Sequence, residues 1–311
     1  MKKYIAIGLL LALLCGCAAP AGNVESESAV TFTDDLGRSV TVEQPQRVAA
    51  LLGSFAQVWM LAGGQICATA DDAWDDLQLA LSADVVNLGG TENLSMELLL
   101  SSQPDLVIAS TKRAQHLQWQ QTLESMGIPV AYFDIADFDD YLRLLQICTD
   151  LTGRKDLLHT NGTAVQAKID GVIAQSASRL AGAPGPSVLC MVASASLLRA
   201  KNSDGSVLGG ILRDLGCVNI ADSNSMILQD LSIEHILQAD PDYIFIVQRG
   251  DDAAGMREFV KQQILENPVW SSLTAVREGR VYFMDKTLFN LKPNHRWGEA
   301  YAIAEEILAN G

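Results

Sequence analysis

The sequence predicts an α/β protein with two similar lobes, joined by one long helix, that hold a ligand between them. Three observations lead to this prediction. A helix-and-strand pattern occurs twice in the chain, strands and helices alternate in both halves, and a single long helical pattern separates the halves. Such alternation is typical of parallel sheets that are covered by helices.

The repeated pattern occupies residues 95–110 and residues 232–247. In both copies a serine comes two positions before a glutamate, an apolar helical face follows, and a Pro-Asp pair leads into an apolar run. The serine is suited to cap a helix, the acid is stabilised in the first turn, and the proline ends the helix before a buried strand. A helix that leads into a fully apolar strand is half of a βαβ unit, from which parallel sheets are built.

The long helical pattern covers residues 155–180 and ends at the Ala-Gly-Ala-Pro-Gly-Pro sequence of residues 181–186. Glycine and proline in this density end helices and mark boundaries. We therefore predict an N-terminal lobe over residues 31–152, a linking helix over residues 153–182 and a C-terminal lobe over residues 183–311.

The other elements follow from apolar runs, helical periodicity and turn residues. Residues 31–42 predict a hairpin, and Ser54 is expected to cap a helix that ends at Gly63-Gly64. Further strands are predicted at residues 48–53, 66–70, 106–110, 128–134, 187–193, 243–247 and 279–285, and further helices at residues 137–151, 207–216, 253–265 and 294–309.

The first 17 residues are predicted to be a lipoprotein signal. Lys2 and Lys3 precede an apolar segment that is too short to cross a bilayer comfortably. The sequence Leu-Cys-Gly-Cys that ends at Cys17 resembles a bacterial lipoprotein box, so Cys17 is expected to carry the lipid. An ordinary secretory signal is the alternative. Residues 18–30 are small, polar and acidic, and they predict a flexible tether to the cell membrane on its extracytoplasmic face.

Composition excludes several classes of protein. A hydrophobic content of 49% and a charged content of 19% favour a buried core over global disorder. The net charge of −15 argues against a nucleic-acid binder, which needs basic surface. Four histidines spread along the chain do not predict a metal site, and no cofactor is expected. We expect the four cysteines after residue 17 to be buried free thiols, and the sequence alone does not assign a disulfide among them: Cys67, Cys148, Cys190 and Cys217.

With both lobes assigned, the chain resembles the substrate-binding lipoproteins of ABC importers for ferric siderophores, haem and cobalamin. The resemblance covers nearly everything after residue 31 and rests on the order and spacing of several segments. These include TFTDDLGRSVTV, SMELLLSSQPDLVIAS, LESMGIPVAYF, SVLGGILRDLGCVNIAD, LSIEHILQADPDYIFIV and NPVWSSLTAVREGRVYFMD. The resemblance implies two doubly wound lobes with mostly parallel sheets, with the ligand in the cleft at the carboxyl ends of the strands.

The resemblance also implies partners. In this family an acid on each lobe docks onto arginines of the membrane permease, and the repeated motif transfers these roles to Glu97 and Glu234. Stabilisation of the first helical turn is the alternative role of both acids. We expect a monomeric receptor that delivers a metal chelate to an ABC permease dimer and catalyses nothing itself.

The ligand must be recognised by side chains near the strand ends. Ferric siderophores are often anionic, and arginine and lysine bind carboxylate or catecholate oxygens. Seven basic residues follow predicted strands or precede the last helix: Lys112, Arg113, Arg199, Lys201, Arg249, Lys292 and Arg296. Trp74 is the first aromatic candidate for contact with the organic part of the ligand, and Phe55 and Phe289 are next.

Other ligands stay open from the residues alone. The acidic run around Trp74 would suit a cationic ligand or calcium, although a solvated surface is the ordinary explanation. Haem needs one or two axial ligands, for which His116 and Met191 are candidates, and cobalamin also suits a weakly basic cleft. A chelatase-like enzyme is the alternative of a different class, but we find no nucleotide, hydrolase or zinc-protease motif. We favour a ferric siderophore.

Overall fold

The computed structural model describes residues 29–311. The predicted lipidation site at Cys17 and most of the predicted tether lie outside the described residues, and these assignments stay predictions. The described chain begins with an antiparallel hairpin of β1 (Ala29–Thr33) and β2 (Ser39–Glu43). Strand β1 therefore includes two residues that the sequence assigned to the tether.

The N-terminal lobe is built on a parallel sheet with helices on both faces. Its strands are β3 (Val48–Ala50), β4 (Ile66–Thr69), β5 (Val86–Asn87), β6 (Leu106–Ser110) and β7 (Val130–Phe133), and its helices are α1 (Gly53–Leu61), α2 (Asp72–Asp75), α3 (Met96–Ser101), α4 (Ala114–Ser125) and α5 (Phe138–Thr152). The strands lie in the order β5-β4-β3-β6-β7. All five residues of β6 are buried, because both faces of the sheet are covered.

A long helical run connects the lobes. It consists of α6 (Lys155–Leu158), a π-helical turn (His159–Thr163) and α7 (Ala164–Leu180). At the π-helical turn, the Tyr141 hydroxyl donates a hydrogen bond to the carbonyl oxygen of Asn161 over 2.8 Å, and the Asn161 amide donates to the Leu61 carbonyl over 2.8 Å. A side chain and a backbone carbonyl of the N-terminal lobe therefore hold the one irregular turn of this connection.

The C-terminal lobe repeats the architecture with one antiparallel addition. Its strands are β8 (Ser187–Ser194), β9 (Leu197–Lys201), β10 (Val218–Asn219), β11 (Tyr243–Gln248) and β12 (Val281–Met284), and its helices are α8 (Val207–Asp214), α9 (Ser225–Asp230), α10 (Ile233–Ala239), α11 (Ala253–Val260), α12 (Thr274–Arg277), α13 (Lys286–Phe289) and α14 (Trp297–Asn310). A second π-helical turn (Lys261–Leu265) and two 3-10 turns (Trp270–Ser272 and Asn294–Arg296) complete the lobe. The parallel order is β10-β8-β11-β12, and β9 pairs antiparallel with β8. The sequence analysis missed β9.

One hydrophobic core extends through both lobes. It contains Val48 and Ile108 from the first sheet, Val188 and Phe245 from the second sheet, and Trp297 from α14. Each sheet also has one smaller core, which lies under its outer helices. The predicted fold of two α/β lobes is confirmed, and the shared core shows that the lobes pack directly against each other.

The two sequence repeats adopt matching backbone conformations. Gln103 and Asp240, which both precede a proline, have positive φ angles of 50° and 39° and end their helices in the same way. The aspartate after that proline then binds the start of the neighbouring strand in each lobe. Asp105 accepts the backbone N–H of Arg47 over 2.9 Å, and Asp242 accepts that of Ser187 over 2.8 Å. Each Pro-Asp pair therefore aligns two strands at the amino edge of a sheet.

Helix capping agrees with the sequence analysis in one repeat only. The Ser95 hydroxyl accepts the backbone N–H of Leu98, as predicted, whereas the Ser232 hydroxyl bonds to the imidazole of His235 instead. The predicted cap at Ser54 is wrong, because α1 begins one residue earlier, at Gly53. The carboxylate of Asp72 accepts the Gly53 N–H over 2.9 Å, so a distant side chain takes the place of the local cap.

Candidate ligand-binding cleft

The carboxyl ends of the strands in both sheets meet at a cleft between the lobes. The segment after β12 crosses this cleft and touches the N-terminal lobe. The Asn294 amide donates to the Ser54 carbonyl over 3.0 Å and to the Gln57 side chain over 2.7 Å. The ammonium group of Lys286 lies 2.6 Å from a carboxylate oxygen of Asp76 in the first lobe. These contacts hold the lobes together on one side of the cleft.

Two cavities in this region meet at Lys292. The first, of 230 Å³, lies between the lobes and is lined by Gln57, Asp76, Leu77, Gln78, Thr287, Lys292, Pro293 and Arg296. The second, of 110 Å³, lies in the C-terminal lobe, where Lys201, Phe289, Asn290 and Lys292 contribute to its wall. The structure therefore brings together three of the predicted basic residues: Lys201, Lys292 and Arg296.

Lys292 is electrostatically unusual. It is half-buried, and within residues 29–311 it forms no ion pair and no side-chain hydrogen bond. Burial lowers the pKa of its ammonium group, while the carboxylates of Asp134 and Asp140 act in the opposite direction. A partly desolvated cation without a paired anion is energetically unfavourable until an anion arrives.

The seven basic candidates divide into two groups. Lys112, Arg113 and Arg296 each have a carboxylate partner, namely Asp134, Glu92 and Glu299. Arg199, Lys201, Arg249 and Lys292 form no ion pair with any residue of the described chain. The four candidates without an ion pair therefore all belong to the C-terminal lobe.

Strand pairing places two of these cations on one face of the second sheet. In the pairing of β8 with β9, Val192 lies opposite Arg199 and Cys190 lies opposite Lys201, so both basic side chains point to the same face of the sheet. The backbone N–H of Arg249 donates to the Ala193 carbonyl over 2.7 Å, at the carboxyl end of β8. The side chains of Lys201 and Lys292 line the smaller cavity, whereas Arg199 and Arg249 are exposed and line neither of the two cavities.

The aromatic candidates are placed differently from the basic ones. Phe55 is 3% exposed and belongs to the shared core, so its side chain is not available at the cleft surface. Phe289 lines the smaller cavity but is only 2% exposed. Trp74 is half-buried and lies in helix α2, where the sequence analysis expected a loop.

The candidate haem ligands are also enclosed. Both His116 and Met191 are buried, and the His116 Nδ1 atom accepts the backbone N–H of Ser110 over 3.0 Å. Burial lowers the pKa of His116 to about 4, so the imidazole is neutral at pH 7. Within residues 29–311, no three histidine, cysteine, aspartate or glutamate side chains lie close enough together to hold a metal ion. All four cysteines in this range are free thiols.

The acidic run around Trp74 has a structural role at Asp72. Its carboxylate receives the Gly53 N–H and is half-buried beside Asp71 and Asp76. Burial raises the pKa of Asp72 to about 6, and the neighbouring carboxylates add to this effect. The acid is thus partly protonated in mildly acidic solution.

This raised pKa predicts a pH-dependent effect of the substitution Asp72→Asn. The pKa in the fold, about 6, exceeds the ordinary value of 3.8, so the stability that Asp72 contributes is complete below pH 3.8 and is lost as the pH rises to about 6. We expect Asp72→Asn to raise the stability by on the order of 2 kcal/mol at pH 7 and to change little near pH 4. Thermal unfolding between pH 4 and pH 8 measures this difference.

Asp75→Asn is the matched control, because Asp75 is exposed on the same short helix. It should change the unfolding temperature little at any pH. If the curves of wild type and Asp72→Asn run parallel over the whole range, Asp72 is not the group that titrates.

The two predicted docking acids occupy equivalent positions. Glu97 is the second residue of α3 and Glu234 is the second residue of α10, and both side chains are exposed. Helix α3 follows β5, whereas α9 separates α10 from β10, and each of the two helices leads into the next parallel strand, β6 or β11. Neither acid has a partner among the described side chains.

Several residues of the cleft were not identified from the sequence. Lys286, Thr287 and Asn290 follow β12, and Gln57 lies one turn into α1. The rule that selected Lys112, a polar residue just after a strand, would also have selected Lys286. No comparable signal exists for Gln57, because its position depends on the packing of α1 against the segment that crosses the cleft.

Comparison with known proteins agrees with this architecture. The profile of the family described as "Periplasmic binding protein" matches residues 48–288. The chain belongs to this family. The match covers every strand of the two lobe sheets and leaves out the first hairpin and α14, so the resemblance predicted from the motifs is confirmed at the level of the family.

Individual relatives of this periplasmic binding protein align over most of their length. The chain is 26% identical to the Fe(3+)-citrate-binding protein YfmC of Bacillus subtilis, over 92% of this chain and 90% of the relative. It is 24% identical to the putative ABC transporter substrate-binding lipoprotein YhfQ of Bacillus subtilis, over 94% and 93%.

Solved structures show the same fold. The catecholate-siderophore binding protein VctP of Vibrio cholerae has a TM-score of 0.69 at 17% identity, covering 91% of this chain and 100% of that one. SirA of Staphylococcus aureus, complexed with staphyloferrin B, has a TM-score of 0.69 at 19% identity, covering 90% and 98%. Among residues 29–311 of the periplasmic binding protein described here, no helix is both long and apolar enough to span a bilayer.

Proposed function

We propose that this periplasmic binding protein is the extracytoplasmic substrate-binding component of an ABC importer and that it captures a ferric siderophore. The observation that carries the proposal is that two cations without an ion pair, Lys201 and Lys292, line one cavity in a protein of net charge −15. Unneutralised cations at a cleft attract an anionic ligand that the rest of the surface would repel.

The relatives support an iron complex. YfmC is named for Fe(3+)-citrate, and a relative from Vibrio anguillarum, 24% identical over 83% of this chain, is named a ferric-anguibactin-binding protein. We propose that the protein acts as a monomer, holds its ligand between the lobes without changing it, and is anchored by lipid at Cys17. Glu97 and Glu234 would dock onto the two halves of the permease.

Binding of candidate ligands to the chain from residue 18 onward tests the proposal by quenching of tryptophan fluorescence. The panel contains ferric complexes of a catecholate, a hydroxamate and a citrate-type siderophore, together with haem and cobalamin. We expect submicromolar binding of one ferric siderophore class, and weaker binding of the same complex after substitution of the unpaired cations by methionine. Binding of haem or cobalamin alone would reject the siderophore, and the failure of every iron complex to bind would reject the proposed function.

A further inference from the structure

A third cavity lies where the linking helix meets both lobes, and we call it the hinge cavity. Its volume is 330 Å³, and its walls come from the start of α5, from α7, from α8 and from α14. Among the residues of the described chain, Val207 is the one that lines both the hinge cavity and the smaller cavity at Lys292, and none lines both the hinge cavity and the larger one. The function proposed above therefore gives the hinge cavity no role.

Carboxylates from both lobes lie at the rim of the hinge cavity. Asp137 and Asp139 belong to the start of α5 in the N-terminal lobe, and Asp214 is the last residue of α8 in the C-terminal lobe. All three residues are exposed. Asp137 accepts the Asp140 N–H over 3.1 Å with one oxygen, whereas the Asp139 side chain has no ion pair and no hydrogen bond within residues 29–311. The rim therefore offers carboxylate oxygens to a ligand.

The positive charge at this rim is already paired. Among the described residues that line the hinge cavity, Arg213 is the one basic side chain. Its guanidinium contacts Asp204, which lies outside the cavity, and its Nε atom is 3.8 Å from Asp214. Gln166 donates its amide to Asp170 over 2.8 Å, which leaves its side-chain oxygen as a further acceptor. The field at the hinge cavity therefore favours a cation.

The hinge cavity also has a buried donor without an acceptor. Trp297 lines the cavity and is 1% exposed, and its Nε1 atom has no hydrogen-bond partner among the described residues. A buried N–H group in this state is unfavourable until an oxygen atom accepts from it. The nearby Tyr301 hydroxyl donates to Asp214 over 2.5 Å, and burial raises its pKa, with Asp214 and Asp137 adding to this rise. Acids of both lobes thus lie close to the aromatic floor.

We propose that the hinge cavity is a second binding site, for a small organic cation that carries an ammonium or guanidinium group together with an oxygen acceptor. The rim carboxylates bind the cationic group, and the oxygen of the ligand accepts the indole N–H of Trp297. Small-ligand sites span about 300–1,000 Å³, so the cavity suits a molecule of the size of one amino acid. Because its walls belong to both lobes and to the linking helix, a bound cation joins all three.

Calorimetric titration of the chain from residue 18 onward tests the proposal with the N-acetyl amides of L-arginine and L-lysine. We expect at least one of them to bind, and its uncharged counterpart, the same derivative of L-citrulline or L-norleucine, to bind at least about tenfold more weakly. Asp139→Asn together with Asp214→Asn should weaken binding of the cation about tenfold, since two partly exposed charge contacts are lost. The assigned indole N–H signal of Trp297 should shift in nuclear magnetic resonance spectra during the titration.

Asp75→Asn together with Asp230→Asn is the matched control, because it removes two exposed carboxylates that do not line the hinge cavity. This variant should bind the cation like wild type. If the double variant at the rim does not fold, as judged by circular dichroism, Asp139→Asn alone should weaken binding about threefold.

Three results would overturn the proposal. Equal binding of the uncharged counterpart would show that charge does not select the ligand. An unmoved Trp297 signal, or wild-type affinity in the rim variant, would place the cation elsewhere on the molecule. The failure of both cations to bind would remove the site. None of these results bears on the capture of an iron complex, because the hinge cavity does not contain Lys201 or Lys292.

Discussion

Reversing the charge of Glu97 and Glu234 together is expected to abolish ligand uptake by cells and to leave ligand affinity unchanged. Both acids are exposed in the first turn of helices that the two sequence repeats form, and neither has a partner among the described side chains. Lysine at these positions would repel cationic docking residues of a permease, and like-charge contacts at an interface cost several kcal/mol. The cavities at Lys292 contain neither acid, so binding should continue.

Uptake of radioactive iron by cells and affinity of the purified protein measure the two halves of this prediction. The matched control reverses Asp170 and Glu258, two exposed acids that each accept a hydrogen bond from a glutamine four positions away. That variant should transport normally. A fall in ligand affinity in the Glu97 and Glu234 variant, or normal uptake by it, would refute the docking assignment.

Arg179→Met is expected to destabilise the fold by about 3 kcal/mol, since it leaves a buried carboxylate without its partner. The guanidinium of Arg179 on α7 donates to both oxygens of Glu305 on α14, over 2.8 Å and 3.0 Å. The Glu305 side chain is 3% exposed, so water cannot replace the lost contacts. The pair joins the linking helix to the last helix of the C-terminal lobe.

Thermal unfolding of three variants separates charge from packing. Arg179→Met alone should unfold at a clearly lower temperature than wild type. The double variant Arg179→Met with Glu305→Leu should recover most of the loss, because replacing a buried ion pair by apolar side chains is often close to neutral. A double variant that is as unstable as the single one would show that packing, and not the isolated charge, determines the effect.

Most of the fold could be predicted from the sequence, because its signals are local. The apolar run of β6 and the periodic face of α5 reflect burial along a single element, and Gly153 with its φ of 72° ends α5 as its position suggests. Strand β9 was missed because it is only five residues long and two of them, Arg199 and Lys201, are basic, so it lacks the continuous apolar run by which the other strands were assigned. The same two residues nevertheless entered the candidate site.

Of the seven basic residues predicted from the sequence, Lys201, Lys292 and Arg296 line the two cavities, and the others stay predictions. A position after a strand indicates the edge of the sheet that a residue is near, but not which cavity its side chain reaches. Phe55 and Phe289 also lie near strand ends, but their side chains turn into the core that both lobes share. The direction of an apolar side chain depends on which neighbours pack against it, and these neighbours are distant in sequence.

The sequence by itself determined the succession of strands and helices, the duplication of the helix-and-strand unit, the connecting helix and the acidic charge of the protein. These features arise from the preferences of neighbouring residues and from burial along single elements. Only the tertiary structure decided that Asp72 caps α1 in place of Ser54 and that the Arg296 guanidinium is paired with Glu299. It also decided that Lys292 lies without an ion pair between two cavities. Each of these depends on contacts between residues far apart in the chain, because desolvation and pairing are set by the groups that folding brings together.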